Sequence, residues 1–227
     1  MLQQTGVDRV IPKYREFLDR FPTIRTLADA STGDVLRAWH GLGYNRRALN
    51  LKRLADVVVR DYSSVLPGEP DALQRLPGIG RYTAHAVACF AFGAQVPVVD
   101  TNVRRVLSGF VGRELSEREA WDVAADVLPP NRAEDWNQAL MDYGATVYRA
   151  RPKRRGSGAA PFETTNRFWR GRIIAALREH PSLAMPSLLR ALPAPADESH
   201  VRSLIRTLNE EGLVQYDAGS DEVALPE

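Results

Sequence analysis

From residue 8 to about residue 150 the apolar positions fall mostly at helical spacing. Val10, Tyr14, Phe17 and Leu18 make one stripe, and Leu49, Leu51, Leu54, Val57 and Val58 make another. Pro22, Gly41, Gly43, Pro67, Pro70, Pro77, Gly78, Gly80 and Pro97 punctuate the series, and long alternating strand patterns are absent. The pattern predicts an all-α bundle with short connections. Residues 151–166 break it. They are basic, then small and proline-bearing, which reads as a linker or as a loop folded back on the first domain. Beyond them the spacing predicts helices over 172–180, 185–192 and 198–211. Gly212 ends the last helix, and short strands at 213–216 and 222–225 are joined by a turn over 217–221. Three helices and a β-hairpin describe a winged helix-turn-helix. The expected organisation is therefore a mainly α domain over 1–150, a basic linker over 151–166 and a small winged-helix-like domain over 167–227.

Composition narrows the class. Of 227 residues, 44% are hydrophobic, ample for a core. No apolar run reaches membrane-spanning length, and the N-terminus MLQQT is polar where a signal peptide would be apolar. The single cysteine, Cys89, excludes an internal disulfide and suits a reducing compartment. The net charge of +2 says little, but its distribution says more. Arg37, Arg46, Arg47, Lys52 and Arg53 form one cluster, and Arg104, Arg105 and Arg113 a second. Arg149, Arg151, Lys153, Arg154 and Arg155 form a third. Such clusters suit a phosphate backbone and equally suit solvated helix faces.

The most informative stretch is LPGIGRYTA over residues 76–84, set between a helical segment and a longer apolar helix. Gly78 and Gly80 permit a tight turn with exposed backbone amides. The following helix adds unpaired N–H groups and the positive end of its dipole. Together these make an anion site, since a phosphate must approach the backbone closely. An ordinary turn between two helices would read the same way. Twenty residues after Gly80, Asp100 opens a further helix in VVDTNVRRV, residues 98–106. Capping that helix is the commoner use of such an aspartate.

Taken together, these residues resemble the helix-hairpin-helix DNA glycosylases, whose pattern is LPGxGxxTA followed by an Asp near VDxNVxRV. MLQQT at 1–5, WHGLGY at 39–44 with Arg46, Arg47, Ala48 and Asn50 after it, and NQALMDYGA at 137–145 narrow the resemblance to the MutY-type adenine glycosylases. The resemblance runs from residue 1 to about 150.

The resemblance implies a base-excision-repair hydrolase that removes adenine mispaired with 8-oxoguanine or guanine in double-stranded DNA. The base must be flipped out of the duplex to be reached. Gln4 and Tyr44 match the family residues that enter the base stack, with Thr5, Leu42 and Gly43 beside them. Arg46 follows, and Gly78, Gly80, Arg81 and Thr83 supply the hairpin contacts. Tyr44 could equally be a loop aromatic packed on the core. Bond cleavage creates cationic character at C1′, and the family's sugar-side carboxylate maps to Asp100, with Asn102 as a supporting polar residue. The helix dipole and amide hydrogen bonds favour a carboxylate there. The lyase members place a Lys where this chain has Tyr82, so Schiff-base chemistry is not expected and the enzyme should be monofunctional. Thymine-mismatch glycosylases also carry Tyr there. A thymine or uracil mismatch glycosylase, and a non-catalytic DNA-binding or damage-sensing protein, remain the alternative readings. The expected setting is a cytoplasmic, nucleoid-associated monomer.

Three departures from the family pattern stand out. The general-acid Glu of the family lies two residues before the Met of MLQQT, where this chain starts. Either the start is misplaced or truncated, the preferred reading, or the chain is catalytically impaired. The family also closes this domain with four cysteines around a 4Fe–4S cluster. The first would fall at Tyr148, and no cysteine follows, so no cofactor and no metal are expected. The basic run 149–155 occupies that region and is a candidate for phosphate contacts. Finally, residues 167–227 are too few for the Nudix-like domain often found in the family. Some shorter members share a tail opening like Asn166, Arg167, Phe168, Trp169, Arg170, Gly171 and Arg172. It either touches DNA or covers the first domain.

Overall fold

The computed structural model describes residues 1–2, 5–148 and 161–227. In chain order it forms α1 (Val7–Arg20), α2 (Ile24–Asp29), α3 (Thr32–Ala38) and α4 (Arg46–Asp61). Then come α5 (Pro70–Gln74), α6 (Arg81–Phe92), α7 (Thr101–Val111), α8 (Glu117–Asp126) and α9 (Ala133–Thr146). A 3₁₀ turn, Phe162–Thr164, leads into α10 (Asn166–Arg178), β1 (Ser182–Ala184), α11 (Met185–Ala191), α12 (Glu198–Glu211), β2 (Gln215–Asp217) and β3 (Glu222–Ala224). The mainly α class is as expected.

Backbone contacts divide the chain into two compact units, residues 1–64 with 157–227, and residues 65–156. This differs from an organisation with a boundary near residue 150. The reason is a shared core. Val35, Leu36, Ala48 and Ala55 of the first helices are buried in one cluster with Ile173, Leu177, Met185, Leu188, Val201, Ile205 and Leu208. Apolar faces from both ends of the sequence leave water together, which is where most of the stabilisation of such a unit originates. Polar ties cross the same seam. The Arg178 guanidinium donates to the Leu36 carbonyl at 3.0 Å and to Asn45 Oδ1 at 2.9 Å. The Gly33 N–H donates to the Pro226 carbonyl at 2.6 Å.

Within this unit the expected winged-helix elements are present, with one addition. β1 joins the hairpin to give an antiparallel sheet of order β1-β3-β2. Its register pairs Leu183 and Tyr216 with Val223 from either side. The expected linker starts outside the described residues, and its end is ordered into the 3₁₀ turn and the first residue of α10. The basic run 149–155 lies outside the described residues.

The second unit holds two smaller apolar clusters. Val99, Val103, Val106, Leu107, Leu115, Ala120, Trp121, Ala124 and Leu140 form one. Cys89, Val98 and Ala133 anchor the other. Ser116 and Glu119 cap α8 reciprocally, with Ser116 N–H donating to Glu119 Oε2 at 2.8 Å.

Candidate active site

α5 and α6 are joined by the hairpin predicted from residues 76–84. Gly78 has φ 77°, a left-handed conformation that a glycine adopts without strain. Gly80 plays a different part. It caps α6 with φ −88°, which any residue could adopt, and a Cβ added there would meet nothing within 4 Å. What Gly80 provides is open space in front of the α6 N-terminus, where a close-approaching phosphate would sit. Arg81, expected to contact DNA, lays its guanidinium over the Trp121 ring at 4.1 Å while remaining exposed. Thr83 sits in the first turn of α6.

Asp100 takes the capping position that its place in the sequence offers. It is the N-cap of α7, its Oδ1 accepting the Val103 N–H at 2.7 Å, and Asn102 Nδ2 donates to its Oδ2 at 3.3 Å. Asn102 in turn accepts from Arg105 at 3.2 Å, so the supporting role predicted for it has a geometric basis. Both carboxylate oxygens are thereby oriented, and Asp100 still lines an open cavity of about 360 Å³. Tyr82, Thr101, Arg104, Glu117 and Trp121 surround it. Burial, and next the negative charge of Asp100, push the Tyr82 phenol above its ordinary range. Tyr82 is therefore a neutral O–H donor beside the carboxylate near neutral pH, and it has no amine with which to form a Schiff base.

The segment leading to Asp100 is held by Asn137, the first residue of the NQALMDYGA stretch, and by His85, which no motif singled out. Asn137 of α9, only 1% exposed, accepts the Val98 N–H at 2.9 Å and donates to the Val96 carbonyl at 2.9 Å. His85 of α6 shares a 2.9 Å hydrogen bond with the Pro97 carbonyl. Because a carbonyl only accepts, Nδ1 is the protonated nitrogen, and burial lowers the imidazole pKa. The same ring meets Trp121 edge-on at 4.6 Å. Three consecutive residues before Val99 are thus tied to α6 and α9. Asn137 was legible only as the first residue of the 137–145 stretch, with no role attached to it. Trp121 and Glu117 gave no signal.

The remaining predicted site residues lie in the other compact unit. Gly41, Gly43 and Tyr44 all take left-handed backbone conformations, with φ 85°, 67° and 49°. Trp39 Nε1 donates to the Gly43 carbonyl at 3.0 Å, and Thr5 Oγ1 and Arg47 both donate to the Leu42 carbonyl at 3.2 Å. Leu42 itself is 3% exposed, so its side chain anchors the loop in the core and is not available as a wedge. Tyr44, at 40% exposed, is presented outward, and Arg46 is exposed beside it. Gln4 lies outside the described residues.

A four-thiolate cluster does not fit the residues present. The one thiol, Cys89, is buried in α6, accepts a 3.4 Å contact from Asn137 and has its pKa raised by burial. Tyr148, where a first ligand would fall, stacks against Tyr143 with ring centroids 6.4 Å apart. Among the described residues no group of His, Cys, Asp and Glu could hold a metal ion. No helix among them is long and apolar enough to cross a membrane.

A glycine hairpin feeding one helix and a cavity-lining carboxylate capping the next define the helix-hairpin-helix class. The chain belongs to the HhH-GPD superfamily of base excision DNA repair proteins, whose family model matches residues 1–120. It is 49% identical over 161 residues to the adenine DNA glycosylase of Mycolicibacterium smegmatis, covering 69% of this chain and 55% of that protein. It is 42% identical over 154 residues to human adenine DNA glycosylase, covering 65% and 28%. The chain thus spans about half the length of the mycobacterial relative. Among solved structures, a thermostable thymine-DNA glycosylase matches with TM-score 0.61 at 29% identity, over 66% of this chain and 72% of that one. Endonuclease III trapped on DNA shares the fold, with TM-score 0.60 at 24% identity over 69% and 75%.

Proposed function

We propose that the protein hydrolyses the bond between adenine and deoxyribose where adenine is mispaired with 8-oxoguanine or guanine in duplex DNA. The observation that carries this reading is Asp100, a carboxylate oriented by Val103 and Asn102 and lining a cavity beside a neutral Tyr82. As the C1′–N9 bond breaks, its electron pair leaves with the base and the sugar becomes cationic. A fixed carboxylate stabilises that charge, water adds its oxygen at C1′, and the proton it gives up neutralises the departed base, which completes the hydrolysis. The hairpin before α6 holds the phosphate backbone while the base is extrahelical. The resemblance of the chain to adenine glycosylases over most of its first 160 residues supports adenine as the base. The likeness to a thymine-DNA glycosylase supports a second reading, in which a mismatched thymine is released.

The test is single-turnover base release by the native protein from two duplexes, one with 8-oxoguanine opposite adenine and one with guanine opposite thymine. Adenine release that falls at least ~100-fold in Asp100→Asn, with duplex affinity retained, is the expected result. The amide still caps α7, so the fold should persist. Release within a few fold of native in Asp100→Asn overturns the assignment of Asp100. Thymine release without adenine release establishes the second reading.

A further inference from the structure

The loop carrying Tyr44 and the start of α10 face each other within one compact unit. Tyr44 holds a left-handed φ of 49°, a conformation that is strained for a non-glycine residue. The hydrogen bonds to Gly43 and Leu42 maintain it, and the result is an aromatic ring 40% exposed. That ring does not face water alone. The Arg167 guanidinium lies 4.0 Å from its centroid and also approaches the Phe162 ring at 5.8 Å. Tyr44, Arg46, Phe162, Arg167, Phe168 and Arg172 line a groove of about 770 Å³. Among the described residues, Arg46, Arg167 and Arg172 have no carboxylate within ion-pair distance, whereas Arg170 beside them is paired to Glu211 at 2.6 Å. The groove therefore combines three uncompensated cations with aromatic faces, the two features by which proteins hold nucleic acid strands.

We propose that this groove is a DNA-strand site in which Arg167 and Arg172 of α10 bind backbone phosphates next to a base stacked on Tyr44. The proposal rests on the DNA-repair reading above and assigns α10 a part in it. Arg167 holds the place of the base in the free protein. An exposed cation–π pair holds less strongly than a base stacked on an aromatic ring. A base thus displaces the guanidinium from the Tyr44 face, and the guanidinium is released next to the phosphate of that nucleotide. Segment 162–172 is then part of the binding surface, and the second occupant of the Tyr44 ring is an element of recognition.

The experiment measures the affinity of the native protein for a duplex with a tetrahydrofuran abasic analogue opposite 8-oxoguanine, across a series of salt concentrations. Arg167→Gln is expected to weaken binding about tenfold and to reduce the slope of log K against log salt by about 0.9, one phosphate contact. Arg167→Gln with Arg172→Gln should reduce it by about twice that. Arg190→Gln, on α11 outside the groove, removes the same charge and should leave the slope within error of native. Thermal melting of each variant separates lost contact from lost fold. Tighter binding by Arg167→Gln would make Arg167 a cover and overturn the proposal. An equal loss in Arg190→Gln, or no loss in Arg167→Gln, would overturn it too while leaving the excision reading intact. A native protein that does not bind the duplex defeats the DNA reading, and this proposal with it.

Discussion

Asn137→Ala isolates what positions Asp100. The side chain is 1% exposed and carries two backbone hydrogen bonds of the segment that precedes Asp100. Truncation leaves the Val98 N–H without its acceptor in a fully buried setting, at a cost of about 1–3 kcal/mol. The Val96 carbonyl is only partly buried and regains water, so its lost bond costs about 0.5–1.5 kcal/mol. The sum is about 1.5–4.5 kcal/mol, a large share of the roughly 5–15 kcal/mol that holds a typical domain together. Urea unfolding and amide exchange at Val98 measure it, and a displaced Asp100 should slow base release by roughly 10–100-fold. Asn137→Asp tests the donor half. An ionised carboxylate keeps the Val98 bond but sets negative charge against the Val96 carbonyl in a buried site, so its pKa is raised in the folded state. The unfolded chain then loses that proton first, above about pH 4, and the stability deficit against native grows as pH rises. A protonated Asp can donate to Val96, so the deficit is smallest in acid. Asn137→Ala within 1 kcal/mol of native with unchanged Val98 exchange would refute the clamp. A deficit for Asn137→Asp that shrinks with rising pH would refute the donor role.

Gly144→Ala places a Cβ 2.9 Å from the Asn102 Cβ and 3.2 Å from its backbone carbon and oxygen. Because that obstacle is the first turn of α7 rather than a flexible side-chain end, a loss of about 1–3 kcal/mol should outweigh the helix-propensity gain of up to ~1 kcal/mol in urea unfolding. Asp221 is held down to about 2 by Arg202 and then Tyr216. Its folded pKa lies below its unfolded one, so the stability it lends is present above the ordinary carboxylate range and is lost as pH falls toward 2. The deficit of Arg202→Ala relative to native should therefore fade between pH 5 and pH 2 in thermal melts. Purified protein, prepared without oxygen, should contain neither iron nor acid-labile sulfide by elemental and colorimetric assay. Stoichiometric iron would show ligands other than the single Cys89 thiol.

Local signals carried most of the reading from sequence, and distant ones carried the rest of the structure. The hairpin at 76–80 and the cap at Asp100 are local, since glycine conformation and capping chemistry act within four residues. The three C-terminal helices were legible from apolar spacing, but β1 is three residues long and half-buried, too short to leave an alternation. The union of residues 1–64 with 157–227 left no trace in the pattern. An apolar face reads the same whether it packs on a neighbour in sequence or on Ile173 and Leu177, more than a hundred residues away. Leu42 carries the same ambiguity: beside Tyr44 in a loop motif, its side chain is buried in the core.

The two sets of predicted site residues obey opposite physical rules, and each rule suits its task. Around Asp100 the Val96 and Pro97 carbonyls and the Val98 N–H each have a side-chain partner, and the carboxylate is bonded at both oxygens. Stabilising a short-lived cation requires a group that need not reorganise as charge develops, and this segment meets that requirement. Around Tyr44 the backbone is fixed in a strained conformation, but the ring is half out in solvent, with the Arg167 and Arg47 guanidinium groups as cation–π neighbours. A residue that must exchange one stacking partner for another needs a firm base and a replaceable contact. A stronger partner, such as a carboxylate on the phenol, would raise the cost of exchange above the ~1–3 kcal/mol that a stacked base returns. Rigid placement at Asp100 and a weakly held ring at Tyr44 thus suit the different free energies of the two proposed steps.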